Sequence, residues 1–292
     1  MNTFEPLVSV LMTSYNREKY IARAIESVLA STYENIELII VDDGSTDTTV
    51  QMIKNFTIRD SRIRFYINEK NLGDYPNRNR AASYAKGDFI LYTDSDDVLY
   101  EYTIQKYIAY LKSYPSLNFA IFSTAVEKEV GNFDPYFIDS KTAVIDHYFK
   151  KSSLLSGPGG IFVRKTFFET IGKFPEKYGP ANDMYFNVKA ASLSDVLIIP
   201  FIPIFYRKHD NQESNNMFSY IYNNYRYNKD LVTEIDLPLS LQQKEYILKK
   251  NKRRFVVNAF RYLRTTKNLK KTVELFKNAE FNVIDAFAGI FH

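Results

Sequence analysis

The first 95 residues alternate between short apolar runs and longer amphipathic stretches. The apolar runs, at 7–12, 36–41, 62–67 and 89–93, have the length of buried strands. The stretches between them repeat apolar residues three and four positions apart, as helices do. Strands that alternate with helices form parallel sheets covered by helices on both faces. The sequence therefore predicts an α/β fold with a mostly parallel sheet flanked by helices.

Polar residues follow three of these predicted strands at the point where each strand ends. The clusters occupy residues 13–15, 42–43 and 94–97. Because the carboxyl ends of parallel strands meet at one edge of the sheet, where ligands bind in such folds, the three clusters should form one pocket.

The third cluster places three carboxylates, Asp94, Asp96 and Asp97, within four positions. Crowded negative charges raise each other's pKa unless a cation compensates them. Carboxylate oxygens are hard ligands that suit Mg²⁺, Mn²⁺ or Ca²⁺. The cluster therefore predicts a divalent-cation site, and a solvated acidic turn that caps the next helix is the alternative.

The regular alternation ends after residue 97. We interpret residues 126–150 as irregular segments with short strands. From residue 211 the composition shifts towards Asn, Tyr and Lys, and the pattern is helical. The chain is therefore predicted to contain one domain over 1–210, itself divided at residue 97, and a basic helical extension over 211–292.

Composition narrows the class of protein. The chain has no Cys, which excludes a disulfide framework and a thiolate zinc site and fits a reducing compartment. A net charge of +4 is too small to indicate a nucleic-acid partner. The N-terminus lacks the pattern of a secretion signal, and the longest apolar run, 196–206, contains two prolines and is shorter than the ~20 residues of a spanning helix. We expect a cytoplasmic protein with no nucleic-acid partner.

Positive charge is concentrated near the C-terminus. Residues 249–277 contain eleven Lys or Arg and a single acidic residue, Glu274. Apolar residues such as Phe255 and Phe260 lie between them at near-helical spacing. A basic amphipathic helix is typical of a segment that contacts an anionic membrane surface, here residues 245–277. The alternative is a helix that packs its apolar side on the domain and leaves its charges solvated.

Several motifs, in their order along the chain, resemble those of inverting glycosyltransferases with the GT-A fold, of the family 2 type. They are VSVLMTSYN at 8–16, VDDGSTD at 41–47, NLG at 71–73 with Arg-Asn at 78–79, DSDD at 94–97, the glycine loop at 156–160 and Asn-Asp at 182–183. Each motif alone is weak, but the ordered set is specific and spans roughly residues 6–210. The resemblance implies a nucleotide-diphospho-sugar transferase fold, with a nucleotide-binding half over 1–97 and an acceptor half over 98–210.

The resemblance also implies a donor site at the strand ends. Thr13, Tyr15 and Asp42 would hold the nucleotide base and ribose, since a Tyr ring stacks on a base and a carboxylate accepts from N–H or hydroxyl groups. Arg78 would contact the diphosphate. The alternatives are purely structural roles: Thr13 would cap a strand, Tyr15 would be a core residue, Asp42 would be a turn residue and Arg78 would form a surface salt bridge.

The Asp94-Ser95-Asp96 segment resembles the DxD motif of this family, which holds Mn²⁺ or Mg²⁺ on the donor diphosphate. The resemblance implies that Asp96 is the main metal ligand and that Asp94 contacts both the metal and the ribose. It also implies that Ser95 contacts the donor. His209 would complete the metal shell, although a lone His is often structural. Asp97 is expected to orient the loop or to cap the next helix.

Asp183 resembles the catalytic base of the family. Inversion needs one carboxylate on the acceptor side that takes the proton of the attacking hydroxyl. Many relatives have Glu-Asp at this point, whereas this chain has Asn182 before Asp183, so the role falls on Asp183. The alternative is a helix N-cap, which Asp also favours.

The function implied is metal-dependent transfer of a hexosyl or N-acetylhexosaminyl group, with inversion, from a nucleotide-sugar to a hydroxyl. The expected donor is a UDP-sugar, and the expected acceptor is a glycan or a lipid-linked acceptor in surface polysaccharide synthesis, at the inner face of the membrane. Two alternatives remain. One is a haloacid-dehalogenase-like phosphatase whose nucleophile is Asp94, although that motif normally lies on the first strand. The other is a catalytically inactive protein that only binds sugar nucleotide.

Overall fold

The computed structural model of the chain describes residues 5–122, 135–199, 201–209 and 216–281. Its strands are β1 Val8–Ser14, β2 Ile36–Asp42, β3 Ile63–Ile67, β4 Phe89–Asp94, β5 Val98–Leu99, β6 Phe119–Phe122, β7 Tyr136–Ile138, β8 Ile161–Arg164, β9 Val196–Ile199 and β10 Ile204–Phe205. Eight of them form one sheet in the order β3-β2-β1-β4-β8-β6-β9-β7, and β5 pairs with β10 in a small antiparallel ribbon.

The four N-terminal strands of the large sheet are parallel, as predicted. In their register Thr13 lies opposite Val41 on one side and Asp94 on the other, and Ser14 lies opposite Asp42. The three polar clusters therefore meet at one edge of the sheet, as predicted. The cleft at this edge takes in residues of the first and third clusters, but Asp42 and Asp43 do not line it. The second half is mixed: β8 is antiparallel to both β4 and β6, β6 is parallel to β9, and β7 is antiparallel to β9.

Helices cover both faces of the sheet. They are α1 Ile21–Leu29, α2 Thr49–Thr57, α3 Asp74–Tyr84, α4 Thr103–Ser113, α5 Ser140–Phe149, α6 Lys165–Thr170, α7 Asn182–Leu193, α8 Met217–Glu234, α9 Leu241–Thr266 and α10 Leu269–Asn278. Successive side chains of a strand point to opposite faces. Accordingly, Val10 and Met12 of β1 pack with Ile25 of α1, whereas Leu11 packs in the cluster that contains Phe186 of α7.

Residues Ser140–Phe149 form the helix α5, so the interpretation of 126–150 as irregular with short strands is wrong for this part. Asp139 caps the helix, because its side chain accepts a hydrogen bond from the Thr142 N–H, and Ala143, Val144 and His147 form a narrow buried side. That side is too short to give a clear helical period, which explains why the pattern was ambiguous. Residues 126–134 of the same segment lie outside the described residues.

The C-terminal region is helical where it is described, as predicted. Tyr227, Leu231 and Val232 of α8 belong to the same hydrophobic cluster as Phe186, so α8 packs on the main body. The helices α9 and α10 form a second cluster centred on Phe255 with residues of α8. The boundary at residue 210 stays a prediction. Among the described residues, no helix combines the length and the hydropathy needed to cross a bilayer.

Candidate active site

A cleft of about 690 Å³ opens at the edge of the sheet where β1 and β4 end. Residues that the sequence predicts for donor binding or catalysis line this cleft: Thr13, Tyr15, Arg78, Asp94, Ser95, Asp96 and Asp183. The structure therefore brings together residues that are far apart in the chain. Among the described residues, Asp42 and His209 are not part of the lining. His209 contacts the lining residue Asp96, whereas Asp42 bonds to Ser14, the strand residue between Thr13 and Tyr15.

Asp42 is fully buried and holds the turn that follows β2. Its Oδ2 accepts hydrogen bonds from Ser14 Oγ at 2.8 Å and Ser45 Oγ at 2.6 Å. Its Oδ1 accepts from the N–H groups of Gly44 and Ser45 at 3.2 and 2.8 Å. The turn needs a residue that tolerates positive φ, and Gly44 supplies it with φ of 83°. Asp42 thus fixes the floor beside Thr13, and its contact with a nucleotide stays a prediction.

Tyr15 presents its ring at the mouth of the cleft. Its side chain is 44% exposed although it directly follows a buried strand, so it is not a core residue. An exposed ring on a rigid strand end is suited to stacking on a planar base.

Arg78 and Asp94 form a partly buried ion pair on the floor of the cleft. The Arg78 Nη2 donates to Asp94 Oδ1 at 2.6 Å, and its Nε donates to Asp74 Oδ1 at 2.8 Å. The pair is not a surface salt bridge, because Arg78 is only 6% exposed. Burial raises the pKa of the Asp94 carboxyl, with the charge of Asp96 adding to the rise and the Arg78 guanidinium opposing it. A direct contact of Arg78 with diphosphate stays a prediction.

Asp96 lies between two groups that can carry positive charge. Its Oδ2 is 3.2 Å from Arg17 Nε and 2.9 Å from His209 Nε2. The His209 ring stacks on Tyr20, with ring centroids 4.8 Å apart, which holds the imidazole against the carboxylate. His209 therefore contacts the carboxylate that the resemblance makes the first metal ligand.

Asp97 anchors the segment that carries His209. Its Oδ1 accepts a hydrogen bond from the Arg207 N–H at 2.9 Å, so it orients a distant loop and does not cap the next helix. Its Oδ2 is buried with no hydrogen-bond partner among the described residues. Burial, followed by the negative charge of Asp94, raises the pKa of Asp97 to about 7.

The acidic cluster fits a divalent cation. Carboxylate oxygens of Asp94, Asp96 and Asp97 all lie within 4.8 Å of one another. The raised pKa values of Asp94 and Asp97 and the unpartnered Oδ2 of Asp97 indicate that negative charge there is incompletely compensated. Carboxylate oxygens with one imidazole are a donor set that Mn²⁺ and Mg²⁺ accept.

Asp183 opens α7 and faces the glycine loop. It is 5% exposed, and its Oδ1 accepts from the Met184 N–H at 2.7 Å. Burial raises the pKa of Asp183 to about 7, although the Met184 hydrogen bond and the charge of Arg78 act in the opposite direction. A carboxylate with a pKa near neutrality is suited to accept and release a proton at physiological pH. Asp183 is the second residue of α7, whose N-cap is Ala181, so the N-cap alternative is wrong, and its role as the base stays a prediction.

Buried hydrogen bonds hold the glycine loop against α7. Asn187, which is fully buried, donates through Nδ2 to the carbonyls of Leu154 and Ser156, at 3.1 and 2.9 Å. A Cβ built on Gly157 would lie 4.0 Å from Asp183 Oδ2. The glycine loop is thus one wall of the space in front of this carboxylate.

Sequence reasoning missed several residues of the cleft. Arg17 contacts Asp96, and Asp74 and Tyr75 flank Arg78 and Asp183. Arg17 comes two residues after the polar cluster at the end of the first strand. This position was the sequence feature that could have indicated a place in the cleft. Ser219 and Tyr220, in the first turn of α8, also line the cleft, and no local pattern links them to it.

Comparison with known sequences gives the family. The sequence profile of the family described as "Glycosyl transferase family 2" matches residues 9–172, which is more than half of the 292-residue chain. A similar curated protein is the Escherichia coli UDP-Glc:alpha-D-GlcNAc-diphosphoundecaprenol beta-1,3-glucosyltransferase WfgD, 47% identical over 92 residues, which are 32% of this chain and 36% of that protein. The first curated relatives are matched over 33% to 68% of their own length.

Solved structures agree on the fold. The S. aureus TarS fragment 1-349 in complex with UDP-GlcNAc superposes with a TM-score of 0.73 at 20% identity, over 93% of this chain and 79% of that one. The mannosyltransferase PcManGT from Pyrobaculum calidifontis in complex with GDP-Man and Mn²⁺ gives 0.66 at 14% identity, over 99% and 88%. The chain has the GT-A fold and belongs to glycosyl transferase family 2.

Proposed function

We propose that this glycosyltransferase is a metal-dependent, inverting enzyme that transfers a hexosyl or N-acetylhexosaminyl group from a UDP-sugar to a hydroxyl of a glycan or lipid-linked acceptor. One observation carries the proposal: a buried carboxylate with a pKa of about 7, Asp183, lines the same cleft as the paired acidic residues Asp94 and Asp96. An inverting transfer needs one base and one site for the diphosphate, and this cleft offers a candidate for each.

The donor nucleotide is assigned to the end of β1. Tyr15 would stack on the base, and Thr13, opposite Asp94 in the sheet, would bond to the nucleotide. Asp42 shapes this end of the cleft through its turn. We assign it to binding of the base or ribose, which requires that one of the hydrogen bonds it now accepts is broken. The UDP-GlcNAc complex of the similarly folded TarS supports a UDP-sugar as donor.

The diphosphate is assigned to the acidic cluster. Asp96 and Asp94 would hold Mn²⁺ or Mg²⁺, with His209 beside them and Ser95 in the loop between. When bound, the cation supplies positive charge that stabilises the diphosphate leaving group. Arg17 now pairs with Asp96, and its guanidinium lines the cleft, so it is placed to contact the diphosphate as well. Burial raises the pKa of Asp94, and the Arg78 guanidinium opposes that rise and so favours the carboxylate form.

The acceptor hydroxyl would approach Asp183 past the glycine loop. As the hydroxyl oxygen attacks the anomeric carbon, its proton moves to Asp183, and the bond from the sugar to the diphosphate breaks on the opposite face of the ring. The Asp183 N–H donates to the Tyr75 hydroxyl at 3.3 Å, and Asn187 holds the glycine loop beside this carboxylate. We infer that both residues position Asp183. We infer a role in surface polysaccharide synthesis, in the cytoplasm at the inner face of the membrane, as the acceptor of WfgD suggests.

Release of UDP from UDP-sugars, with Mn²⁺ and with EDTA, tests the proposal. We expect metal-dependent release that Asp183→Asn lowers by about 10²–10⁴-fold while UDP binding is retained. Asp236→Asn, at a fully exposed position, is the matched control and should have normal activity. Donor binding without turnover in the wild-type protein would favour the inactive binding protein. Hydrolysis of a generic phosphoester that depends on Asp94 would favour the phosphatase.

A further inference from the structure

The long helix α9 carries a continuous positively charged side. Its outward residues recur at spacings of three and four, so they share one side of the helix. All are exposed: Tyr246, Lys249, Lys250, Arg253, Arg254, Val257, Phe260, Arg261 and Arg264. Six of these nine are Lys or Arg and none is acidic. We call this surface the basic face.

The opposite side of α9 already has its apolar partners. Phe255 and Ala259 are buried in the cluster shared with α8 and α10. Asn251 Nδ2 donates to the Tyr225 carbonyl of α8 at 2.8 Å, which fixes the rotation of the helix. The basic face is therefore held outward by the fold. Of its apolar residues, Tyr246 stacks on Phe149 of α5, with ring centroids 5.6 Å apart, whereas Val257 and Phe260 are not among the residues of that cluster.

Three apolar side chains are nevertheless exposed on the basic face. Tyr246, Val257 and Phe260 are 53%, 48% and 50% exposed and alternate with the cations along the helix. Single exposed apolar residues are common on protein surfaces. Three of them on one side of a helix, interspersed with six cations, make that side both apolar and strongly basic. This is the arrangement of helices that lie in a bilayer interface, where rings and aliphatic groups enter the headgroup region and basic side chains reach the phosphates.

Within the described part of the chain, the cations of the basic face make few contacts. None of the six forms an ion pair with a described residue. The only polar or ring contacts recorded for them within the described residues are Lys250 over the Tyr246 ring at 5.8 Å and Arg261 Nη1 to Asn258 Oδ1 at 3.4 Å. Their charge is thus available to an external anionic surface.

We propose that the basic face docks on the surface of an anionic lipid bilayer. A second copy of the chain would oppose six cations to six cations in a two-fold contact, which is unfavourable. A soluble polyanion would pair with the cations and leave the three apolar residues in water. Because α9 packs along α8, whose first turn lines the cleft, docking would hold the cleft one helix away from the bilayer. Docking deepens the membrane location given in the proposed function, but it does not depend on catalysis, so vesicle binding and UDP release test the two proposals separately.

Co-sedimentation of the full chain with phosphatidylcholine vesicles, with and without about 30% phosphatidylglycerol, tests the proposal. We expect binding only to the anionic vesicles. Arg253→Gln with Arg261→Gln should lower the partition coefficient on the order of 30-fold, since each nearby charge contributes about five-fold. The matched control is Lys54→Gln with Lys112→Gln, which removes the same charge from exposed positions on α2 and α4 and should bind as the wild type does.

A second pair of variants separates the lipid surface from a soluble polyanion. Val257→Ser with Phe260→Ser keeps every charge, and we expect weaker binding to anionic vesicles with unchanged binding to heparin. Equal vesicle binding by the wild type and the Arg variant would overturn the proposal. Equal vesicle binding by the wild type and the variant with Val257→Ser and Phe260→Ser would overturn it as well. A change in oligomeric state of either variant without lipid would assign the face to a second copy instead. Circular dichroism confirms that all variants fold.

Discussion

Asp183 is the residue on which the proposed chemistry depends, and its burial sets how it titrates. Its pKa of about 7 means that the carboxylate form, which acts as base, is lost as the pH falls below 7. We therefore expect kcat/KM to rise with pH and to level off above about pH 7. The pH profile of UDP release measures this, and a profile that is flat between pH 5.5 and 8 would contradict it.

The same pKa predicts a pH-dependent change in stability. Because the folded-state pKa of Asp183 lies above its unfolded value, the folded protein binds this proton more tightly, and that stabilisation is lost as the pH rises through 7. From pH 5 to pH 8 the loss is on the order of 2–3 kcal/mol. Asp183→Asn removes the titration, so its Tm relative to the wild type should be higher at pH 8 than at pH 5. An identical difference at both values in calorimetry would refute the assignment.

Substitution of Arg78 should affect both stability and UDP binding, because its guanidinium forms ion pairs with two carboxylates at once. In Arg78→Lys a single ammonium cannot reach both Asp74 and Asp94, and one carboxylate loses its charged partner. We expect the free energy of unfolding to fall by about 1–2 kcal/mol and UDP binding in Mn²⁺ to weaken. The control is Arg80→Lys on the same helix, which should leave both unchanged. Chemical denaturation and calorimetric titration measure the two effects.

At the scale of elements, the base helix α7 and the glycine loop act as one unit through Asn187. Asn187→Leu keeps the branching at Cγ with a somewhat larger side chain, and it leaves the carbonyls of Leu154 and Ser156 without their donor. Two buried acceptors without partners should cost about 2–4 kcal/mol of stability. Because Asn187 also holds the loop in front of Asp183, we expect kcat to fall while KM for the donor changes little.

A control on the same helix is Ser192→Ala, whose hydroxyl bonds only to the Lys189 carbonyl near the helix end. Steady-state kinetics and urea denaturation of both variants separate the effects. Loss of stability with normal kcat at a temperature where the variant is folded would show that Asn187 is structural only.

Element types were predictable because they depend on local patterns. The strands of the parallel half have near-continuous apolar runs, and α1 has the i, i+3, i+4 spacing, so their bounds agree within one or two residues. The helix α5 was not predictable in this way, since its buried side is short and its cap, Asp139, stands in a polar segment.

At the scale of the whole molecule, the C-terminal helices share the core of the transferase body. Leu231 and Val232 of α8 and Ile247 of α9 are buried with residues of α7, so a chain that ends at residue 210 would expose this surface. We expect the fragment 1–210 to be unfolded or insoluble, because several large side chains lose about 1.5–3 kcal/mol each.

A fragment that ends at residue 267 keeps the main cluster and loses α10 and the residues after it, with their share of the smaller cluster. It should fold with a lower Tm. Circular dichroism and proteolysis of the two fragments measure the difference, and a folded, cooperative 1–210 fragment would support an independent extension instead.

The sequence alone determined the alternation of strands and helices, the convergence of three polar clusters on one sheet edge and the family. These follow from patterns within single segments, and parallel strands force their ends together. The tertiary structure alone decided the partners: Arg17 at Asp96, Asp97 at the segment of His209, and α8 over the cleft. Such contacts join residues far apart in the chain and have no period, so they depend on how the elements pack. Burial, which gives Asp183 its raised pKa, is likewise a property of the packed molecule.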